Sequence, residues 1–132
     1  MNFKALAMAA ILGLSAPAVM DVATSSQAVA ATRFNYPSGV FRNEIQGWEV
    51  QLYFQNNAYH YQGTNLRNGS NISLIGATTS GTQQRQIYTW RNSQYRYQIT
   101  WRPSDSGVVR LQVFSNKGRQ VLNCLLYEHN GG

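Results

Sequence analysis

The chain has 132 residues, enough for one domain rather than two. Eleven Lys+Arg face five Asp+Glu, a formal net charge of +6, and there is one cysteine. That excludes an intramolecular disulfide, and the basic balance favours anionic partners without specifying a fold.

The first thirty residues read as an export signal. Lys4 supplies a positive n-region, Ala5 to Leu14 an apolar stretch, and small residues follow. Ala28-Val29-Ala30 is the preferred cleavage motif, because Thr24 to Ala31 is a small-residue tract and β-type residues begin at Arg33. Ala16-Pro17-Ala18 is the second choice and would leave Val19 first. A retained anchor needs about 20 apolar residues, and Pro17 and Asp21 cut this run short. The expectation is therefore a signal peptide over residues 1–30 and a single all-β domain over 31–132. That domain would be exported, periplasmic or secreted, with no membrane span. Loss of Lys4 and Asp21 leaves the net charge unchanged, and Lys117 is then the only lysine beside the arginines. Arginine's planar fork suits bidentate contacts to carboxylate or phosphate.

Beyond residue 38 the apolar residues recur with period two, interrupted by Asn, Gly and Ser. Strands are expected near 39–43, 48–55, 58–66, 70–77, 84–90, 95–102, 108–114 and 119–127. Trp48, Val50, Leu52 and Phe54 share one face, as do Tyr95, Tyr97, Ile99 and Trp101, and again Val109, Leu111 and Val113. The fold class is all-β: an antiparallel meander of seven to eight strands, curled into a small up-and-down β-barrel. A two-sheet β-sandwich is the alternative.

Hairpin loops fix register, and register fixes facing. A two-residue Asn56-Asn57 loop sets Phe54 opposite Tyr59, Leu52 opposite Tyr61 and Val50 opposite Gly63. An Asn68-Gly69 turn sets Gly63 opposite Leu74. An Asn92-Ser93 turn sets Trp90 opposite Tyr95 and Tyr88 opposite Tyr97. The loop from Pro103 to Gly107 sets Trp101 opposite Val109 and Ile99 opposite Leu111. A final turn near Lys117 keeps Leu122, Cys124 and Leu126 on the same inner face. The hairpins agree on one inner face, with Cys124 a buried, inert thiol. The run from Phe54 to Gln62 also echoes that from Trp90 to Gln98, by duplication or by convergence on good turn chemistry.

Little in the chain supports catalysis. After the signal only Glu44, Glu49, Asp105 and Glu128 remain as carboxylates, and none forms a recognisable pair. His60 faces outward and His129 lies near the C-terminus, so no metal-ligand spacing exists. There is no nucleophile elbow and no phosphate-binding glycine loop. No enzyme activity and no cofactor are expected.

The outer face is richer. The registers set Arg85 opposite Thr100 and Thr100 opposite Arg110. Arg96 lies between Thr89 and Phe114, Gln98 between Ile87 and Gln112, and Arg102 ends the row. Arg85, Arg96, Gln98, Arg102, Arg110, Gln112 and Phe114 are the candidate binding residues. The competing reading is a solvated face that blocks edge aggregation. Among the tryptophans, exposure of Trp48, Trp90 or Trp101 would itself nominate a site.

The aromatic–Asn hairpins Tyr59-His60-Tyr61-Gln62-Gly63 and Tyr88-Thr89-Trp90-Arg91-Asn92 make the segment Gly39 to Tyr127 resemble small exported proteins of uncharacterised function found in cyanobacteria. That resemblance implies no activity. Ser80-Gly81 and Lys117-Gly118 are similar to loop dipeptides of periplasmic lysozyme-inhibitor barrels. Those barrels usually carry a disulfide or a lipid-bearing cysteine, which this chain lacks.

Three functions are consistent with these residues. One is an exported non-enzymatic binding domain for an anionic polysaccharide or other envelope polymer. Another is a protein-interaction or inhibitor domain with an envelope protein as partner. The third is a carrier barrel for a small apolar ligand. Nucleic acid is not an expected partner, because an export signal places the chain elsewhere.

Overall fold

The structure, a computed structural model, describes residues 34–130. The expected signal segment and its cleavage motifs lie outside them. Nine strands form: β1 (Gly39–Asn43), β2 (Trp48–Gln55), β3 (Ala58–Asn65), β4 (Asn71–Ile75), β5 (Thr78–Gly81), β6 (Gln86–Asn92), β7 (Tyr95–Trp101), β8 (Val108–Ser115) and β9 (Gln120–Glu128). They make one antiparallel sheet in the order β4-β3-β2-β1-β9-β8-β7-β6-β5. The two-sheet alternative does not form. Consecutive strands are neighbours except β4 and β5, the two edges, and β9 returns to pair with β1 through Tyr127↔Arg42 and Glu128↔Phe41.

The sheet curls until its two halves meet. Tyr59 on β3 lies 5.3 Å from the Trp90 ring on β6, and Tyr61 lies 5.5 Å from Tyr97 on β7. The inner face is the expected one: Val50, Leu52, Tyr59, Tyr61, Tyr88, Trp90, Ile99, Trp101, Val109, Leu111, Cys124 and Leu126 are all buried. Each such large apolar side chain contributes roughly 1.5–3 kcal/mol by leaving water. Burial also pushes the Cys124 thiol pKa up, as expected of an inert thiol.

Closure is incomplete, because the edge strands β4 and β5 do not pair with each other. The seam is bridged by side chains instead. The Trp90 indole N–H on β6 crosses it to the Tyr59 carbonyl on β3 at 3.0 Å, and that carbonyl also accepts from the backbone N–H of Gly76, just after β4, at 3.0 Å. Toward one end the segment ahead of β1 fills the gap. Tyr36 packs on Phe54, Tyr59 and Tyr88, and the Tyr59 hydroxyl donates to the Pro37 carbonyl. The fully buried Gln86 clasps this segment. Its Oε1 accepts from the Asn35 N–H (2.9 Å) and the Tyr88 hydroxyl (2.7 Å), and its Nε2 donates to Asn35 Oδ1 (2.6 Å) and the Gln83 carbonyl (2.8 Å).

Three registers form as expected. The Asn56-Asn57 loop gives Phe54↔Tyr59 and Leu52↔Tyr61, with both asparagines at positive φ, as a two-residue turn matched to strand twist demands. Trp101↔Val109 and Ile99↔Leu111 form across the loop containing a 3₁₀ turn at Pro103–Asp105, and Cys124↔Leu111 across the last turn. Two others slide by two residues. Gly63 pairs with Ile72 rather than Leu74, because Asn65 and Asn68 side chains cap a longer loop through the Arg67 and Ser70 N–H groups. Trp90 pairs with Tyr97 and Tyr88 with Ile99, the tight turn being Ser93-Gln94 rather than Asn92-Ser93. A two-residue slip leaves every side chain on its own face, so alternation cannot detect it. Strand β5 is the other departure. All four of its residues are exposed, so it carries no apolar pattern to read.

Candidate functional site

At the end of the curl away from Tyr36 the interior is unfilled. A recess of about 380 Å³ opens there, lined by Trp48, Tyr61, Gly63, Ile72, Tyr97, Leu111, Val113 and Leu122, with Asn65, Ser70 and Asn71 at its edge. Trp90 and Trp101 are buried, at 0% and 7% exposure, whereas Trp48 is half-buried and stands in this recess. A mostly apolar concavity of this size with a few polar groups is the usual form of a small-molecule site.

The floor is shaped by one glycine. Tyr61 and Gly63 lie two apart on β3, so they share a face, and the Tyr61 ring lies over the space a Cβ at residue 63 would take. Such a Cβ would sit 2.8 Å from Tyr61 Oη and 2.9 Å from its Cε1. Among the described residues, the phenols that donate to protein groups are Tyr59 and Tyr88. Those of Tyr61 and Tyr97 line the recess, and burial raises both pKa values, Tyr61 strongly, so both remain protonated donors.

The seven residues singled out lie along β7, β8 and the turns beside them, with Arg96 opposite Phe114, Gln98 opposite Gln112 and Arg110 opposite Thr100, as expected. Gln98 and Gln112 stand opposite each other in the middle, and Gln112 donates to Gln120 Oε1 at 2.9 Å. Toward one side Arg96 stacks on Phe114, 4.4 Å from the ring centroid, and lies opposite Arg91 rather than Thr89. Its Nε is buried without a partner. Toward the other side Arg85, Arg102 and Arg110 gather around Thr100. Thr100 pairs with Arg110 as expected, but its other neighbour is Ile87. Arg85 lies in the turn before β6, where Thr82 and Arg85 exchange backbone hydrogen bonds.

The carboxylates find other work. Glu44 and Glu49 both bond Arg42, at 3.1 Å and 2.8 Å. Among the described residues no cluster of three or more His, Cys, Asp and Glu could hold a metal, and no helix is long and apolar enough to cross a membrane. His60 stacks on Tyr53 at 4.6 Å on the outer surface.

Two features escaped sequence reasoning. The recess depends on which end of the interior the aromatics leave empty, and no local pattern states that. The Gln86 clasp did leave a signal, since a glutamine in the inward series with Tyr88 and Trp90 must find buried partners. The fold and site define a barrel-like antiparallel β-domain with an aromatic recess at one end. Comparison with known proteins finds no family model, no curated protein and no solved structure that matches the chain.

Proposed function

We propose that this is an exported, non-enzymatic binding domain that takes a small, largely apolar molecule into the recess beside Trp48. The observation carrying this reading is the combination of a half-buried Trp48 with two unengaged phenol donors, Tyr61 and Tyr97, in one apolar concavity. The apolar walls favour an uncharged ring or chain. The phenols favour an oxygen acceptor on it, because a buried donor left unmatched is costly. The ligand class is therefore an apolar compound carrying a carbonyl, ether or hydroxyl oxygen.

A neutral dye such as Nile red tests this, since an anionic dye would also report on the arginines. The expected result is saturable binding with quenching of Trp48. Trp48→Ala should weaken it, and Gly63→Ala, which pushes the Tyr61 phenol into the recess, should weaken it about tenfold, or about 1.4 kcal/mol. Equal affinity for both variants and the unaltered protein would remove the recess as the site.

A further inference from the structure

The outer cleft around Thr100 is separate from the recess, and its argument is independent. Thr100 is 8% exposed, and its Oγ1 is shut off from solvent with no hydrogen-bond partner. A hydroxyl on the outer face of a sheet ordinarily finds water, so burial without a partner is unusual. The cleft it lines measures about 280 Å³ and is also lined by Arg85, Arg102, Arg110, Asp105, Val108 and Leu125.

Among the described residues none of the three arginines is held in an ion pair; the ion pairs are those of Arg42, so neither Asp105 nor any other carboxylate neutralises them. Arg110 makes one hydrogen bond, from Nη1 to Asn123 Oδ1 at 2.8 Å. Arg85 and Arg102 are exposed, so their side chains can swing without moving the backbone. Their positions are nonetheless set by rigid elements. Arg110 is cross-strand from Thr100, Arg102 follows β7 by one residue, and Arg85 is held by the Thr82 turn. Gly81 makes that turn possible: its φ is +84°, and a Cβ there would lie 2.3 Å from the Arg85 carbonyl oxygen.

From this geometry we propose that the cleft is an oxyanion site for a phosphate or sulfate group. Three guanidinium forks and one hydroxyl, from β7, β8, the turn before β6 and the residue after β7, supply more donors than the two oxygens of a carboxylate can use. They suit the three or four oxygens of a tetrahedral anion. The Thr100 hydroxyl fills its empty valence by donating to one of those oxygens once the side chains that cover it here move aside. Asp105 borders the cleft and limits how many negative charges it accepts. The anion can be a free solute or a substituent of a polymer.

The test titrates the whole domain with inorganic phosphate and inorganic sulfate at constant ionic strength, followed by amide NMR and by melting temperature. Sulfate and phosphate stabilise proteins generally by exclusion from the surface, without saturating. A site saturates and moves local amide signals. The expected result is saturable shifts centred on Thr100 and Arg110. Arg110→Gln should weaken binding about tenfold, while Arg119→Gln, an equal charge change in the last turn, should leave it unchanged. Thr100→Val is the sharper variant. It should raise the melting temperature without anion, because it removes an unpaired buried hydroxyl, yet weaken anion binding severalfold. Absence of saturation overturns the site. So does equal loss in Arg110→Gln and Arg119→Gln, which reduces binding to net charge, or unchanged binding in Thr100→Val. A parallel arm with dextran sulfate separates the sources. Tighter binding that also needs Arg91 and Arg96 identifies a polymer, and equal binding per sulfate identifies a free solute; both outcomes support the cleft.

Discussion

Trp90→Phe tests how the curled sheet stays closed where its edge strands do not pair. The substitution keeps an aromatic ring against Tyr59 and Tyr61, whose centroids lie 5.3 and 5.2 Å from Trp90. It removes the indole N–H that donates to the Tyr59 carbonyl at 3.0 Å. That carbonyl still accepts from Gly76, so no acceptor is orphaned, and the loss is one buried hydrogen bond of about 1 kcal/mol. The smaller ring forfeits a further ~1 kcal/mol of packing at a residue with 0% exposure. The expected cost is thus about 2 kcal/mol, which for a domain of this size lowers the melting temperature by roughly 8–16 °C. Urea titration should show a lower midpoint with an unchanged m-value. Trp48→Phe, at the recess mouth, should cost within about 1 kcal/mol. A Trp90→Phe cost below about 0.5 kcal/mol would refute the idea that the indole holds the seam.

Further expectations concern the core, alkaline pH and the N-terminal segment. Leu111→Ala should cost ~2–5 kcal/mol and Gln112→Ala about 0.5 kcal/mol, and equal costs in urea titrations would contradict the assigned faces. Burial raises the phenol pKa of Tyr59 and Tyr61 well above the ordinary 10.0 and pushes Tyr88 up to about 12. The folded state keeps protons that the unfolded chain releases, so their stabilisation is full below about pH 10 and is lost as pH rises through the folded values. Phenolate absorbance from these residues should therefore appear together with unfolding in an alkaline titration, and its completion with native circular dichroism would refute the assignment. A domain starting at Ser38 loses Asn35, Tyr36 and Phe34 and leaves half of Gln86's hydrogen bonds unmade, so it should be about 3 kcal/mol less stable than one starting at Ala31. Mass spectrometry of the exported protein should find Ala31 first, with Val19 the second choice, and an intact Met1 would overturn the export reading.

Alternation was a good witness for facing and a poor one for register. Val50, Leu52, Tyr88, Trp90, Leu111 and Leu126 are all inside because inward residues alternate along each strand and apolar ones take those positions. The same periodicity is blind to a slip of two, which is why Gly63 and Trp90 meet partners two residues from the expected ones. Turn chemistry resolved the ambiguity only where it was unequivocal. Asn56 and Asn57 both tolerate positive φ and fixed their hairpin, whereas Asn65 and Asn68 accept backbone N–H groups and lengthened theirs. Strand β5 has no apolar inward face to encode, and its pairing with β6 rests on the local turn made by Gly81 and the Thr82–Arg85 backbone bonds.

That same blindness explains what became of the outer residues. A slip of two keeps Arg96 and Arg85 on the outer side but changes their neighbours. It sets Arg96 against Arg91 and leaves Arg85 outside β6. The row expected from the registers thus carries two cationic groups about four residues apart along β7, or roughly 13 Å, with Gln98 and Gln112 between them. Like charges placed opposite each other are unfavourable unless something between them is negative, and the described carboxylates in ion pairs are both on Arg42. The recess inverts this relation. Trp48, Tyr61 and Tyr97 were legible as inward residues, but an inward position means core in a filled barrel and the wall of a recess at an unfilled end. What decides between them is the placement of Tyr36 and Phe34, which occupy one end and leave the other open. Residues ahead of the first strand, which no strand pattern includes, therefore determine which of the inner aromatics border open space.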